Sequence, residues 1–184
     1  MLKKLLPDNI DAEKVEIWSE DETRVGQQGS LTRIWAKKGT RPRKVKQRQF
    51  ISTYLYGAVC HKTGQSYAVV LPYANTKAMS IFLQVLSKEI KEGKHVALIV
   101  DNAVWHNANE LIVPDNITLI PLPPYSPELN AMEQVWEWIK KRFLYNQCYS
   151  DYNDIVDKVC DAWNYLSSNP DIIKSIIHRK WIHL

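Results

Sequence analysis

An apolar run that ends directly in an acid restricts the fold of this chain more than any other feature. His95–Val100 is apolar after its first residue and lies between Lys94 and Asp101. A short run of this kind is typical of a strand buried on both faces, which requires helices on both sides of a sheet. Functional side chains of α/β proteins lie at the carboxyl ends of such strands, so Asp101 is the first candidate functional residue.

The segments before this run alternate in polarity and indicate an antiparallel meander. Several are rich in β-branched and aromatic residues, and glycines punctuate the connections between them. The first strand is predicted to end immediately before the acidic residues Glu20, Asp21 and Glu22. The predicted strands are Val15–Ser19, a short one near Leu31–Ala36, Gln49–Cys60 and Gln65–Leu71, with a tight turn at Lys62–Gly64.

The period then changes to that of helices, which alternate with short strands. Helices are predicted from Asn75 or Thr76 to Lys91, from Leu129 to about Phe143, over Asp151–Leu166 and from Pro170, with strands at His95–Val100 and Thr118–Pro121. We therefore expect an α/β fold whose mixed sheet begins as an antiparallel meander and continues with parallel strands, flanked by helices. We expect one domain over residues 1–184, with a core at about 14–145 and C-terminal helices at 150–184.

Composition excludes several classes of protein. A hydrophobic fraction of 45% and a charged fraction of 24% are ordinary for a globular chain and exclude a wholly disordered one. The longest purely apolar runs have five residues, far below the roughly 18–20 that cross a bilayer. The three cysteines are widely spaced, which indicates neither a disulfide framework nor a zinc site. These features favour a cytoplasmic protein without a membrane partner.

The positive charge is concentrated in one stretch, which we call the basic segment and define as Arg33 to Arg48. It contains eight of the 24 Lys and Arg residues and no Asp or Glu, so the remainder of the chain is slightly acidic. Such a segment is typical either of a polyanion-binding surface or of a solvated edge hairpin. Trp35 within it either stacks on nucleic-acid bases or packs on the core. The candidate DNA-binding residues are Arg33, Lys37, Lys38, Arg41, Arg43, Lys44, Lys46 and Arg48.

Two aspartates at the ends of neighbouring strands indicate a cation site. Asp21 and Asp101 would repel each other unless a cation lay between them. Oxygen ligands without a cysteine or histidine cluster favour Mg²⁺ or Mn²⁺. A third carboxylate is expected from the loop or helix that follows, and spacing alone leaves Glu128, Glu133 and Glu137 open.

Four motifs stand out along the chain, and they read IWSEDETRVG (Ile17–Gly26), IWAKKGTRP (Ile34–Pro42), LIVDNAVWH (Leu98–His106) and LPPYSPELNAMEQVWEWIKKR (Leu122–Arg142). They span most of residues 17–143, and the last one, with its proline-rich loop and Glu- and Trp-containing helix, is the most specific. In this order they resemble the catalytic domain of DDE transposases, in the bacterial insertion-sequence branch of the mariner-type superfamily.

The resemblance implies a ribonuclease H-like fold and an enzyme that hydrolyses and transfers DNA strands at transposon ends. It assigns the catalytic and metal-binding triad to Asp21, Asp101 and Glu133 and implies two Mg²⁺ or Mn²⁺ ions. It also implies DNA as the partner, with insertion typically at a TA dinucleotide, and a homodimer that joins two ends. Localisation would then be the bacterial cytoplasm, at the nucleoid.

Residues near the triad have both functional and structural interpretations. His106 and Asn107 are candidates for contact with a phosphate or a water near the metals, or for a helix start or a position in the core. Asn130 is a candidate for the same outer role or for a helix cap. Trp136 is expected in the core.

Relatives of full length have an N-terminal helix-turn-helix domain for end recognition, and we expect none here because Asp21 lies so early. A separate or fused end-binding domain would then be a partner. The competing interpretations are a non-catalytic, DNA-binding or regulatory transposase fragment and another ribonuclease H-like nuclease.

Overall fold

A five-stranded mixed sheet forms the centre of the computed structural model, which describes residues 10–29, 32–40, 42–43, 45–106, 108–124 and 126–178. The strands are β1 (Val15–Gly26), β2 (Ser52–Cys60), β3 (Ser66–Leu71), β4 (His95–Val100) and β5 (Ile117–Pro121). Their order across the sheet is β3-β2-β1-β4-β5. The first three pair antiparallel, whereas β4 pairs parallel with both β1 and β5. The predicted meander followed by parallel strands is confirmed.

The first strand is longer than the sequence pattern predicts. Its parallel pairing with β4 ends at Ser19 opposite Ile99, but its antiparallel pairing with β2 continues to Gly26 opposite Ser52. The prediction that Asp21 follows the end of a strand is therefore wrong. Asp21 lies inside β1, at the point where β1 no longer pairs with β4 but still pairs with β2.

The short strand predicted near Leu31–Ala36 is also wrong for its described residues. Residues 32–37 form no strand, and the side chain of Trp35 is fully exposed. The Thr32 N–H donates to the side-chain oxygen of Asn146 at 3.1 Å, so a side chain takes the hydrogen bond that a neighbouring strand would have taken.

Four α-helices among the described residues cover the sheet, and those that follow Asn75 and Asp151 begin where the apolar periodicity predicts. They are α1 (Thr76–Glu89), α2 (Met132–Ile139), α3 (Tyr152–Ser167) and α4 (Pro170–Ile177). Asn75 and Asp151 accept hydrogen bonds from backbone N–H groups in the first turns of α1 and α3, as expected of N-caps. The helix predicted from Leu129 is divided, because a 3₁₀ turn precedes α2 and a π-helical turn, Lys140–Leu144, follows it.

The helices lie on opposite faces of the sheet. Side chains of α1 pack with Trp18 and with the even-numbered residues of β4, whereas α2, α3 and α4 pack together over Val25 and β2. Because side chains alternate along a strand, Glu20 and Glu22 share the face of Trp18, and Asp21 projects towards α2. No helix among the described ranges is long and apolar enough to span a membrane.

Gly57 allows two tryptophans to approach the centre of the sheet. It lies on β2 directly opposite Asp21, and a Cβ atom added there would be 2.7 Å from the Trp136 ring and 2.9 Å from the Trp163 ring. Such distances require both rings to move. The absence of a side chain at position 57 therefore determines how closely α2 and α3 approach Asp21.

We expect Gly57→Ala to lower the free energy of unfolding by about 1–3 kcal/mol, because the added methyl overpacks the two indoles. Urea unfolding followed by tryptophan fluorescence measures this. Gly29→Ala is the matched control, since its added Cβ would meet nothing nearer than 3.5 Å. Equal stability of the Gly57 variant and the wild type would contradict this packing.

Candidate functional site

Asp21 and Asp101 lie at the same level of the sheet. Ser19 pairs with Ile99 in parallel register, and each aspartate follows two residues later on its strand. Successive residues of paired parallel strands advance together, so this register brings the two carboxylates to adjacent positions. The prediction that they lie on neighbouring strands is confirmed.

Asp21 is a buried carboxylate held by two hydrogen bonds. Its Oδ2 accepts from the indole Nε1 of Trp136 at 3.1 Å, and its Oδ1 accepts from the Glu22 backbone N–H at 2.9 Å. Burial raises the pKa of the Asp21 carboxyl well above its ordinary value, and the charges of Glu22, Glu133 and Asp101 raise it further. Trp136, expected only in the core, is thus both a core residue and the donor that orients Asp21.

Asp101 lies in a different environment at the end of β4. Its Oδ1 accepts from His106 Nδ1 at 2.8 Å and from the Ala103 N–H at 2.8 Å, while its side chain remains half exposed. The hydrogen bond from His106 lowers the pKa of Asp101 more than any other influence. Asn102 donates to the Leu122 carbonyl oxygen, which ties the loop after β4 to the end of β5.

The three glutamates that spacing left open all line one open groove of about 600 Å³ beside α2. Of these three, only the charge of Glu133 contributes to the raised pKa of Asp21. Glu133 is exposed in the first turn of α2, so its carboxylate is available to a ligand.

Asn130 joins this helix to the sheet next to Asp21. Its Nδ2 donates to the Glu20 carbonyl oxygen at 2.9 Å, and its Oδ1 accepts from the Met132 N–H at 3.0 Å. Asn130 is buried, so both hydrogen bonds are shielded from water. This residue fixes the start of α2, and with it Glu133, relative to β1.

A second cluster behind the aspartates consists of Glu20, Glu22 and His106. His106 Nε2 lies 3.6 Å from Glu20 Oε2 and 3.8 Å from Glu22 Oε2. Burial raises the pKa of Glu20 most strongly, followed by the charges of Asp21, Glu22 and Asp101. His106 was predicted as an outer residue of the site, but both glutamates were missed. The available signal was their i, i+2 spacing, which places them on one face of β1.

The basic segment is held near its C-terminal end by hydrogen bonds to Tyr149. Gln47 donates to the Tyr149 carbonyl oxygen and accepts from the Tyr149 N–H, both at 2.7 Å. The described cations of the segment, Arg33, Lys37, Lys38, Arg43, Lys46 and Arg48, are all exposed and form no ion pair with another described residue. Arg41, Lys44 and Asn107 lie outside the described residues.

Comparison with known proteins gives the family. A family model described as DDE superfamily endonuclease matches residues 16–156. An uncharacterized protein of Sinorhizobium fredii, y4pE/y4sA, is 46% identical over 71% of this chain and 96% of its own length. A 39 kDa uncharacterized protein of insertion element IS630 from Shigella sonnei is 27% identical over 78% of this chain and 43% of its own length. The chain therefore belongs to the DDE superfamily of endonucleases.

The fold is similar to that of Mos1 mariner transposase complexes. The structure of a Mos1 strand transfer complex matches with a TM-score of 0.63 and 17% identity over 90% of this chain and 50% of that chain. A Mos1 paired-end complex with Mg matches with a TM-score of 0.63 and 18% identity over 89% of this chain and 51% of that chain. The predicted ribonuclease H-like fold is confirmed, and the chain spans about half the length of these Mos1 chains.

We expect Asp21→Asn to stabilise the metal-free protein increasingly as the pH rises. A raised folded-state pKa means that protonated Asp21 contributes stability below its unfolded-state pKa, and that this contribution is lost as the pH rises through the folded-state value. Asparagine is neutral throughout and keeps an acceptor for the Trp136 indole.

Chemical unfolding in EDTA from pH 4 to pH 8 measures the difference in unfolding free energy between variant and wild type. Glu128→Gln removes the same charge at an exposed position of the 3₁₀ turn before α2 and is the matched control. A difference between Asp21→Asn and wild type that stays constant over this pH range would contradict the electrostatic description of Asp21.

Proposed function

We propose that this chain is the catalytic domain of an insertion-sequence transposase, with Asp21, Asp101 and Glu133 as its catalytic, metal-binding carboxylates. The observation that supports this most directly is the buried Asp21 carboxylate, whose pKa is raised by burial and by the charges of Asp101 and Glu133 among others. Within the described ranges no lysine or arginine pairs with any of these three acids. The proposed catalytic domain has its core at about 14–145 and its C-terminal helices at 150–184.

The donor set fits a hard divalent cation. Asp21, Asp101 and Glu133 offer carboxylate oxygens only, and no described lysine or arginine pairs with them, so Mg²⁺ or Mn²⁺ suits the site. Solved Mos1 complexes of the same fold include one with Mg and one with Mn. Two such ions, when bound, supply activation of the attacking hydroxyl and stabilisation of the leaving oxygen.

The residues of this chain hold and orient that site. Trp136 and the Glu22 N–H each use one oxygen of Asp21 and fix its plane. His106 and the Ala103 N–H both bind Oδ1 of Asp101, which leaves the other oxygen, Oδ2, of this half-exposed side chain for a cation. Asn130 holds the N-terminus of α2, which sets the distance of Glu133 from both aspartates.

The proposed reaction is phosphodiester hydrolysis at transposon ends followed by transfer of the freed 3′-hydroxyl to target DNA, at a TA dinucleotide. Two ends must be joined, so we propose a homodimer. We also propose an end-binding helix-turn-helix domain, fused or separate, since the Shigella relative and the Mos1 chains are about twice as long as the matched region. Such a protein would act on DNA at the bacterial nucleoid, in the cytoplasm.

We expect the wild-type chain to nick supercoiled plasmid in Mn²⁺ and Asp101→Asn to lose about 100-fold or more of that rate, since removing metal-dependent charge stabilisation costs about 3 kcal/mol or more. Glu133→Gln should reduce the nicking rate by the same factor. Glu137→Gln, one turn further along the same helix, is the matched control and should retain the wild-type rate. Equal rates in the wild type and Asp101→Asn, purified identically, would contradict the proposed site.

The substrate is tested by a panel of DNA duplex, RNA–DNA hybrid and four-way junction. The transposase proposal predicts cleavage of duplex carrying transposon ends in preference to the other two substrates. Preference for the hybrid or the junction would indicate another ribonuclease H-like nuclease. Duplex binding without metal-dependent cleavage in any arm would indicate a non-catalytic fragment.

We expect the basic segment to bind DNA phosphates. Replacing Lys37, Lys38 and Lys46 with alanine should weaken duplex binding and reduce the slope of log K against log salt by about 0.9 for each phosphate that is no longer neutralised. Fluorescence polarisation between about 50 and 200 mM salt measures both quantities. Alanine at Lys88, Lys91 and Lys94, around the end of α1, removes the same charge elsewhere and is the control. Equal slopes in the two triple variants would contradict this assignment.

A further inference from the structure

We propose that Glu20, Glu22 and His106 form a separate binding site for a divalent transition-metal ion of the zinc or manganese class, on the α1 side of the sheet. The site does not include the oxygen atoms assigned to catalysis. This inference goes beyond the proposed function. It depends only on the contacts of Glu20, Glu22 and His106, whether or not the chain cleaves DNA.

The two ring nitrogens of His106 have different surroundings. Its Nδ1 lies 2.8 Å from Asp101 Oδ1 and 3.2 Å from the Asp101 carbonyl oxygen, and both atoms are acceptors. Nδ1 therefore bears the hydrogen. Nε2 is therefore the ring atom left for another ligand, and it is buried, makes no hydrogen bond and faces Oε2 of both Glu20 and Glu22.

His106 Nε2 and the oxygens of Glu20 and Glu22 are spaced like ligands of one ion. His106 Nε2 lies 3.6 Å from Glu20 Oε2 and 3.8 Å from Glu22 Oε2, too far for hydrogen bonds. Two ligands of one ion at about 2.0–2.2 Å in tetrahedral geometry lie about 3.3–3.6 Å apart. The observed separations are close to those values, and one ligand atom from each residue lies within 4.8 Å of the others.

Several polar atoms of this cluster are buried without a hydrogen-bond partner. The Glu20 side chain is fully buried with neither carboxylate oxygen hydrogen-bonded, and His106 Nε2 and Glu22 Oε2 are also buried without a hydrogen-bond partner. Burial is the largest influence on the pKa of Glu22 and raises it, although His106 and Trp105 act in the opposite direction. Leaving buried carboxylates without partners costs several kcal/mol, and one divalent ion would neutralise both.

The donor chemistry selects the class of ion. One imidazole nitrogen with carboxylate oxygens suits Zn²⁺ or Mn²⁺ better than Mg²⁺ or Ca²⁺, which prefer oxygen alone. A histidine that binds a metal through one nitrogen usually donates its other N–H to a carboxylate, and here that carboxylate is Asp101. An ion at this site would therefore fix the orientation of Asp101 through His106, and the histidine is a positioning residue.

The test begins with the wild-type chain loaded with Zn²⁺ and desalted. Native mass spectrometry counts the retained ions, and zinc X-ray absorption identifies their ligands without any variant. We expect one retained ion with one imidazole nitrogen among its ligands. Loss of all zinc on desalting, or a ligand shell without imidazole, would overturn the proposal.

Variants then locate the ion. His106→Gln and Glu20→Gln should each weaken zinc binding by about 100-fold or more. His95→Gln and Glu16→Gln are the matched controls, since His95 is a buried histidine of β4 and Glu16 lies on the same face of β1 as Glu20. Both controls should bind zinc as the wild type does. Unchanged binding in His106→Gln would overturn the proposal.

Asp21→Asn combined with Glu133→Gln separates this site from the catalytic one. The double variant should retain the imidazole-bound zinc although its nicking activity is lost. Loss of zinc in this variant would assign the ion to the catalytic carboxylates and overturn the separate site. Absence of nicking in the wild type with zinc retained would contradict the proposed function alone.

Discussion

Parallel pairing of β1 with β4 brings Asp21 and Asp101 to the same level of the sheet, and the electrostatics of the whole site depend on this register. Two carboxylates at adjacent positions raise each other's pKa unless a cation compensates their charge. The surroundings of the two carboxyl groups shift their pKa values in opposite directions. Burial and neighbouring acids raise the pKa of Asp21, whereas the hydrogen bond from His106 lowers that of Asp101. Their environments are therefore unequal although their positions on the two strands are equivalent.

The packing of α2 and α3 supports this arrangement from one face of the sheet. Gly57 has no side chain, so the Trp136 ring approaches β2 closely enough for its indole nitrogen to reach Asp21. Asn130 connects the start of the same helix to β1 through the Glu20 carbonyl oxygen. Site residues on rigid, packed elements are held more accurately than residues on loops, and here one helix provides both the donor to Asp21 and the exposed carboxylate of Glu133.

The sequence predicted those parts of the fold that depend on local pattern. The buried strand before Asp101 and the helices after Asn75 and Asp151 follow from apolar spacing and caps, and they lie where expected. The true end of β1 was not predictable in this way, because it depends on pairing with β2, a partner about 30 residues away, after β4 has ended. The strand near Leu31–Ala36 was wrong for its described residues, which are exposed and pair with no strand; the Thr32 N–H donates to the Asn146 side chain instead.

The sequence predicted the acidic residues of the candidate site but not the residues that surround them. Strand ends and helix spacing identified Asp21, Asp101 and three candidate glutamates, and only the family resemblance chose Glu133. The role of Trp136 was missed because a tryptophan at helical spacing indicates core packing, and nothing local shows that its Nε1 faces an acid. Glu20 was missed because full burial of a glutamate between Ser19 and Asp21 is a tertiary effect.

If Asp21 and Asp101 are held together in order to bind divalent cations, crystals grown with Mn²⁺ should show it directly. Anomalous diffraction is the most direct test, since the manganese signal locates each ion without reference to activity. We expect an anomalous peak within bonding distance of carboxylate oxygens of both aspartates. Well-ordered crystals in Mn²⁺ with no peak between Asp21 and Asp101 would contradict cation binding by this pair of carboxylates.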